Sequence, residues 1–211
     1  MADYTDFVKY IHPDVMGCPE IAITDAVRDS IITFCEETHI WVGDEIAVDI
    51  VKGQRTYPLT STPDEYIFNV DKVIYNGYTL SPTSVNELES AFPEWRRFES
   101  DPTNFYYYRQ AINLVGLPAK DETGALIVQP VVRPTRTSST VPDWMFEEWV
   151  DGVAAYAKYK LHSMSNKPWT DPNKASSCYV DYTAYKTKAR VMKEKSYGKV
   201  SRTVEPVRFG G

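Results

Sequence analysis

Asp171-Pro172-Asn173-Lys174-Ala175-Ser176-Ser177-Cys178-Tyr179-Val180-Asp181-Tyr182-Thr183-Ala184-Tyr185-Lys186-Thr187-Lys188-Ala189-Arg190-Val191-Met192-Lys193 decides the fold. Asp171 is a good N-cap, and Pro172 suits a first helical turn, where its missing N–H is not needed. Ala175, Cys178, Tyr182, Tyr185, Ala189 and Met192 then recur at alternating spacings of three and four. That is one face of a helix of roughly 26 residues, about 39 Å long at 1.5 Å per residue. The seam is too poor in aliphatics for a free coiled coil, so it has to pack on its own chain.

Two further helical blocks supply that packing. Upstream, Thr140 with Asp143 reads as a capping box and Pro142 sits early. Phe146, Val150, Val153, Ala157, Leu161 and Met164 form the apolar stripe, and Asn166-Lys167-Pro168-Trp169 breaks the helix. Near the start, Pro19 opens a helix reaching His39, with Ile23, Val27, Ile31 and Phe34 on one face. A shorter helix over 3–11 is expected before it, stopped by His12-Pro13. Trp41 is expected to plug the point where the chain leaves the helix.

Between these blocks the period changes to two. Glu45–Ile50 is strand-like, Lys52-Gly53-Gln54 is a turn, and Arg55–Leu59 reads as the returning strand. Tyr66–Tyr75 runs into Asn76-Gly77, a strong hairpin signal because both residues tolerate positive φ, and Tyr78–Pro82 pairs back. Ser84 with Glu87 predicts a short capped helix to Phe92. Phe105–Arg109, Ala111–Val115 and Ala125–Val132 complete a meander, and Pro130 and Pro134 favour an edge position for the last strand. The expectation is an α+β fold: a helical bundle from residues 1–43 and 137–198, an inserted β-rich subdomain over 44–136, and an extended C-terminal arm over 199–211.

Charge divides along the same lines. Residues 1–151 carry 11 Lys and Arg against 25 Asp and Glu, a balance of −14, whereas residues 152–211 carry 12 against 4, a balance of +8. Such a split lets like copies meet acidic face to basic face. Fifteen tyrosines and five tryptophans suit either a β-rich core or an interface. Three dispersed cysteines form neither a disulfide framework nor a zinc spacing, and point to a reducing compartment. The acidic N-terminus has no signal-peptide core, and no apolar run approaches the roughly 20 residues a membrane helix needs.

Chemistry is sparse. There is no phosphate-binding glycine loop, no nucleophile elbow and no paired-histidine metal motif. His12, His39 and His162 lie near helix ends and read as capping or interface residues. The carboxylate pairs at 36–37, 87/89 and 147–148 read as solvated surface. No catalytic, cofactor-binding or metal-binding residue is expected, and no enzyme. The basic run Lys186, Lys188, Arg190, Lys193, Lys195, Lys199, Arg202 could instead contact phosphates, so a nucleic-acid-binding accessory protein using the last helix is the alternative.

The order of parts resembles the head–tail adaptor (connector, or gatekeeper) proteins of tailed bacteriophages. Gly17-Cys18-Pro19 before the amphipathic Ala26–Glu36 helix and Trp41 carries the likeness. So do Gly53–Leu59, Val70–Val73, Val141-Pro142-Asp143-Trp144, Asp151–Tyr156 and Pro168-Trp169. The large insertion is closest to longer podovirus-type adaptors. The resemblance implies a structural protein of the virion neck, assembled in the host cytoplasm as a ring, typically dodecameric, below the portal protein. DNA would pass through its lumen without specific binding, and tail or nozzle proteins would attach to it. Acidic loops of 44–136 are then expected at the lumen or its rim. Lys186, Lys193 and Lys195 are expected to meet carboxylates of the portal or a neighbouring subunit. In the arm, Val204, Val207 and Phe209 would fill partner pockets, and Arg202 and Arg208 would pair with partner acids.

Overall fold

The computed structural model describes residues 1–97 and 99–195. In chain order they form β1 (Ala2–Asp3), two 3-10 turns (Tyr4–Tyr10, His12–Asp14), α1 (Glu20–Thr38), β2 (Ile46–Ile50), β3 (Thr56–Pro58), β4 (Glu65–Tyr75), β5 (Tyr78–Thr79) and β6 (Ser81–Pro82). Then follow α2 (Val85–Ala91), a 3-10 turn (Trp95–Arg97), β7 (Asn104–Tyr108), β8 (Ala111–Val115), β9 (Glu122–Pro134), β10 (Thr140–Val141), α3 (Asp143–His162) and α4 (Pro172–Glu194). The fold is α+β. Residues 199–211, with Arg202, Val204, Val207, Arg208 and Phe209, lie outside the described residues.

The helices at the two ends of the chain pack on one another: α1 on α3, α3 on α4, and α1 on α4. The face α1 buries is the one its apolar spacing predicts, with Ile23, Val27, Ile31 and Phe34 inaccessible to solvent. Pro19 is the N-cap rather than the first helical residue, and His39 closes the helix in the left-handed region at φ 54°. On α3 Val153, Ala157 and Leu161 of the predicted stripe are buried. In its first two turns Met145 and Trp149 are buried instead, while Phe146 and Val150 are only half-buried. Trp149 packs its ring 5.4 Å from Phe34, and burying a side chain of this class stabilises the fold by roughly 1.5–3 kcal/mol. The expected capping box at Thr140 does not form: Thr140 pairs with Asp3 in a two-stranded ribbon, and Pro142 is the N-cap without a side-chain bond. On α4, Asp171 caps the backbone N–H groups of Asn173 and Lys174, and Ala175, Tyr182 and Ala189 of the predicted seam are buried.

The β-rich segment forms two four-stranded sheets, in orders β2-β9-β4-β5 and β3-β8-β7-β6. It is therefore not a meander. Arg55–Leu59 does not return onto Glu45–Ile50: β3 pairs with β8, and β2 pairs with β9. Nor is β9 an edge strand, since β2 and β4 flank it. Pro134 is the last residue of the strand, and Pro130 is tolerated where the ladder is irregular. Pro130 faces Val70 beside a register shift on β4, and its carbonyl accepts from the Gly43 N–H. The Asn76-Gly77 hairpin forms with φ of 48° and 82°. A second two-residue turn, Arg109-Gln110, takes the same left-handed backbone without glycine, at 48° and 57°. Ser84 and Glu87 complete the predicted capping box of α2. One hydrophobic cluster extends from the helices into both sheets; Trp41, at the exit from α1, meets Trp144 edge-on.

Close packing of α3 on α4 depends on Gly152. A Cβ there would lie 2.9 Å from the Tyr185 Cβ and 3.2 Å from its Cγ. Gly→Ala within an exposed helix would gain about 1 kcal/mol. Here overpacking of about 1–3 kcal/mol opposes it. Gly152→Ala is expected to lower the thermal midpoint; a raised midpoint in a calorimetric scan would show that the two helices are not held at this spacing.

Candidate assembly interface

The last turn of α1 carries Glu36 and Glu37, two carboxylates at the end of a helix whose dipole disfavours negative charge. Each is compensated by a cation from another element. Arg133 of β9 pairs with Glu36 at 2.8 Å. On α4, Lys186 pairs with Glu37 at 3.0 Å, the Tyr182 hydroxyl donates to the same carboxylate at 2.8 Å, and Arg190 Nε donates to the Glu37 carbonyl at 2.7 Å. Burial, and then the Glu37 hydrogen bond, push the Tyr182 phenol upward and keep it a donor. Lower on α4, Lys193 pairs with Asp71 of β4.

Of the three lysines expected at an interface, the structure thus gives Lys186 and Lys193 partners within the chain, leaving their side chains only 17% and 21% exposed. Lys195, after the last turn, is exposed and has no ion pair among the described residues. Lys188 is also exposed, with its ammonium 5.5 Å over the Trp149 ring. The structure places Lys186, Lys193 and Lys195 along one end of α4; the five arm residues lie outside the described residues.

The inserted sheets carry the acidic counterpart. Asp44, Glu45, Asp64, Glu94, Glu99 and Asp101 are exposed and make no ion pair among the described residues. Other carboxylates there hold turns. Asp49 accepts from the Gly124 N–H at 2.7 Å, and Asp121 from the Lys52 N–H at 2.6 Å. Glu122 accepts from Tyr75 Oη at 2.6 Å, Asn76 Nδ2 at 2.9 Å and Lys120 Nζ at 2.8 Å. The described residues include no group of three or more His, Cys, Asp or Glu that could hold a metal ion, and no helix long and apolar enough to cross a membrane.

Sequence reading missed Glu37 as a hub. Its signal was present, since two acids in a last helical turn call for outside cations. It also missed an open groove between α3 and α4, whose lining carries both signs of charge.

The family model described as SU10 adaptor protein matches residues 3–204, nearly the whole chain. No curated protein matches it. The chain belongs to the SU10 adaptor family, a phage head–tail adaptor.

Glu122 gives a pH-dependent readout of the acidic subdomain. The Lys120 bond foremost, then those from Tyr75 and Asn76, lower its carboxyl from 4.5 to about 2. A depressed carboxyl contributes stability present above the unfolded value and lost as pH falls through the folded one. The window is therefore from about 4.5 down to about 2. Amide exchange at Asn76 and Gly77 is expected to quicken across that window beyond the intrinsic pH effect. In Glu122→Gln, turn protection should be flat there. A turn equally protected at both ends of the window in the native chain would contradict the clamp.

Proposed function

We propose that this adaptor assembles as a ring, a dodecamer by the family resemblance, below the portal protein of the virion. Genome DNA passes through its lumen without specific binding, and tail or nozzle proteins attach to its far side. The family match over residues 3–204 carries this reading. The charge layout supports it. Unpaired acids of the inserted sheets suit a lumen or rim that must not grip phosphates, since like charge repels over a Debye length of about 8–10 Å. The opposite balance of the last sixty residues suits a head-to-tail contact repeated around a ring.

Residues 199–211 act in this reading as the extension that engages the portal or a neighbouring copy, with Val204, Val207 and Phe209 in pockets and Arg202 and Arg208 on carboxylates. The alternative, a nucleic-acid-binding role for α4, is weakened by geometry. Two of its lysines already neutralise carboxylates of the same chain, so fewer cations are left for phosphates.

Negative-stain images of the chain mixed with its portal rings test the proposal. Rings capped on one face are the expected result; free monomers beside bare portals would overturn it. Deleting 199–211 should leave a folded, soluble protein that no longer attaches to portal-bearing particles. Lys195→Glu should weaken assembly at low ionic strength, and the deficit should shrink toward 1 M salt, where the screening length is about 3 Å. An assembly equilibrium in sedimentation velocity that ignores this substitution would remove Lys195 from the interface.

A further inference from the structure

The ladder of β4 on β9 separates two clefts of opposite character. In its register Glu65 faces Pro134, Tyr66 faces Arg133 and Ile67 faces Val132. Successive side chains of a strand point to opposite faces. Glu65, Ile67 and Val132 accordingly line one cleft, and Tyr66 and Arg133 line the other. The first cleft, about 430 Å³, is acidic and aromatic. Half-buried Trp144 stands edge-on to buried Trp41. Asp44, Glu45 and Glu65 share the cleft with them and make no ion pair among the described residues. Acids alone would be a solvated rim. Acids with an indole wall suit a planar guanidinium, which can pair with a carboxylate and stack on a ring at once.

The second cleft is bordered by the turn between β7 and β8. Arg109 and Gln110 hold φ of 48° and 57° there, whereas the other two-residue hairpin uses Asn76-Gly77. Left-handed backbone is costly for residues with a Cβ, so this turn keeps side chains where its geometry favours none. Tyr108 is 56% exposed, and Arg109, also exposed, sets its guanidinium carbon 5.0 Å from the Tyr108 ring centroid. The turn is anchored from behind. Tyr107 Oη donates to the Ile67 carbonyl at 2.8 Å, and the Leu59 N–H to the Gln110 carbonyl at 2.8 Å. A stacked guanidinium on an anchored tip has little rotamer freedom left to lose on binding.

We propose that the Tyr108-Arg109 tip of one copy enters the acidic cleft of the next, where Arg109 pairs with Glu45 and Glu65 against Trp144. This rests on the ring reading and names the contact between its subunits. Charge selects the occupant. Arg28, Arg96, Arg133 and Arg136 already pair with acids of their own chain, and Arg55 and Arg190 donate to backbone carbonyls. Arg97 and Arg109 are exposed and make no ion pair among the described residues, and Arg109 is the one set against the far face of the ladder. That placement also selects the symmetry. A two-fold pair needs tip and cleft on one face, so that each copy serves both. Here they lie on opposite faces, and the contact repeats in one direction, as a ring requires. Asp44 and Glu45 then belong to the subunit contact, leaving Asp64, Glu94, Glu99 and Asp101 for the lumen or rim.

The test uses two full-length variants, Gln110→Cys beside the tip and Thr62→Cys in the cleft, which leave the charges in place. They are mixed, assembled with portal rings and mildly oxidised; images and non-reducing gels are read on the same sample. Expected is a linked pair of chains in the mixture that neither variant gives alone, and a ladder of linked chains in the double variant Q110C/T62C. Adding Arg109→Glu to the double variant should lower the ladder's yield about threefold, the scale of an exposed ion pair, and Glu45→Arg should restore it. An equal loss with Arg97→Glu would reduce the effect to net charge and overturn the inference. Rings with no 62–110 link, or with that link only inside single chains, overturn the inference and leave the ring standing. Chains that link to one another without forming rings support the contact and count against the ring. Neither rings nor links overturns both. If Arg109→Glu spares the ladder but abolishes binding of single-stranded DNA, the tip belongs to nucleic acid and the inference fails.

Discussion

Two carboxylates at the wrong end of a helix tie this molecule together. Glu36 and Glu37 lie where the α1 dipole is negative, and neither would be comfortable there alone. Arg133 answers from β9 and Lys186, Tyr182 and Arg190 from α4, so one helical turn fastens the sheet to one side and the last helix to the other. Removing an acid would also strand its partners; Arg133, with its side chain only 13% exposed, would lose the most. The electrostatic joint and the hydrophobic one coincide, because Phe34, on the same helix, touches both Trp149 and Tyr182.

What the sequence reveals follows how local the physics is. Asn76-Gly77, Ser84 with Glu87, and Asp171 before Pro172 each act within four residues, and each forms as read. The apolar faces of α1 and α4 are periodic and equally legible. Pairing between strands is not. β3 finds β8 and β2 finds β9 across more than fifty residues, and no turn between neighbours encodes that choice. Pro130 of β9 misleads because its cost is met by a register shift on β4, which only the folded sheet displays, and Pro134 merely ends the strand. On α3 the lower part of the stripe, Val153, Ala157 and Leu161, is buried as read. Near the start Trp149 takes the core position against Phe34 and leaves Phe146 and Val150 half-buried, a choice between neighbouring apolar residues that spacing alone does not make.

For the interface, the residue types were legible and their partners were not. A basic helix beside an acidic body predicts ion pairs, yet sequence cannot say whether they close within one chain or between two. Lys186 and Lys193 close within the chain. The signal for that was the helix-terminal acids, which need cations wherever they come from. The α3–α4 groove left no mark at all, because alanine, serine and cysteine on a helix look the same whether they floor a groove or face water.

This division of charge has a consequence for how strongly copies can hold each other. An exposed ion pair contributes about 0–1 kcal/mol, so Lys195 or Lys188 alone could orient neighbours but not keep them together. In the proposed ring each weak contact would be multiplied by symmetry, and a tail contact made through backbone hydrogen bonds would add affinity that salt does not screen. If residues 199–211 supply a second contact as proposed, holding one subunit at its body contact would raise the effective concentration of that contact into the millimolar range. In the proposed assembly, weak polar faces tethered in this way would close cooperatively, while each face alone stays too weak to bind acidic or basic surfaces indiscriminately.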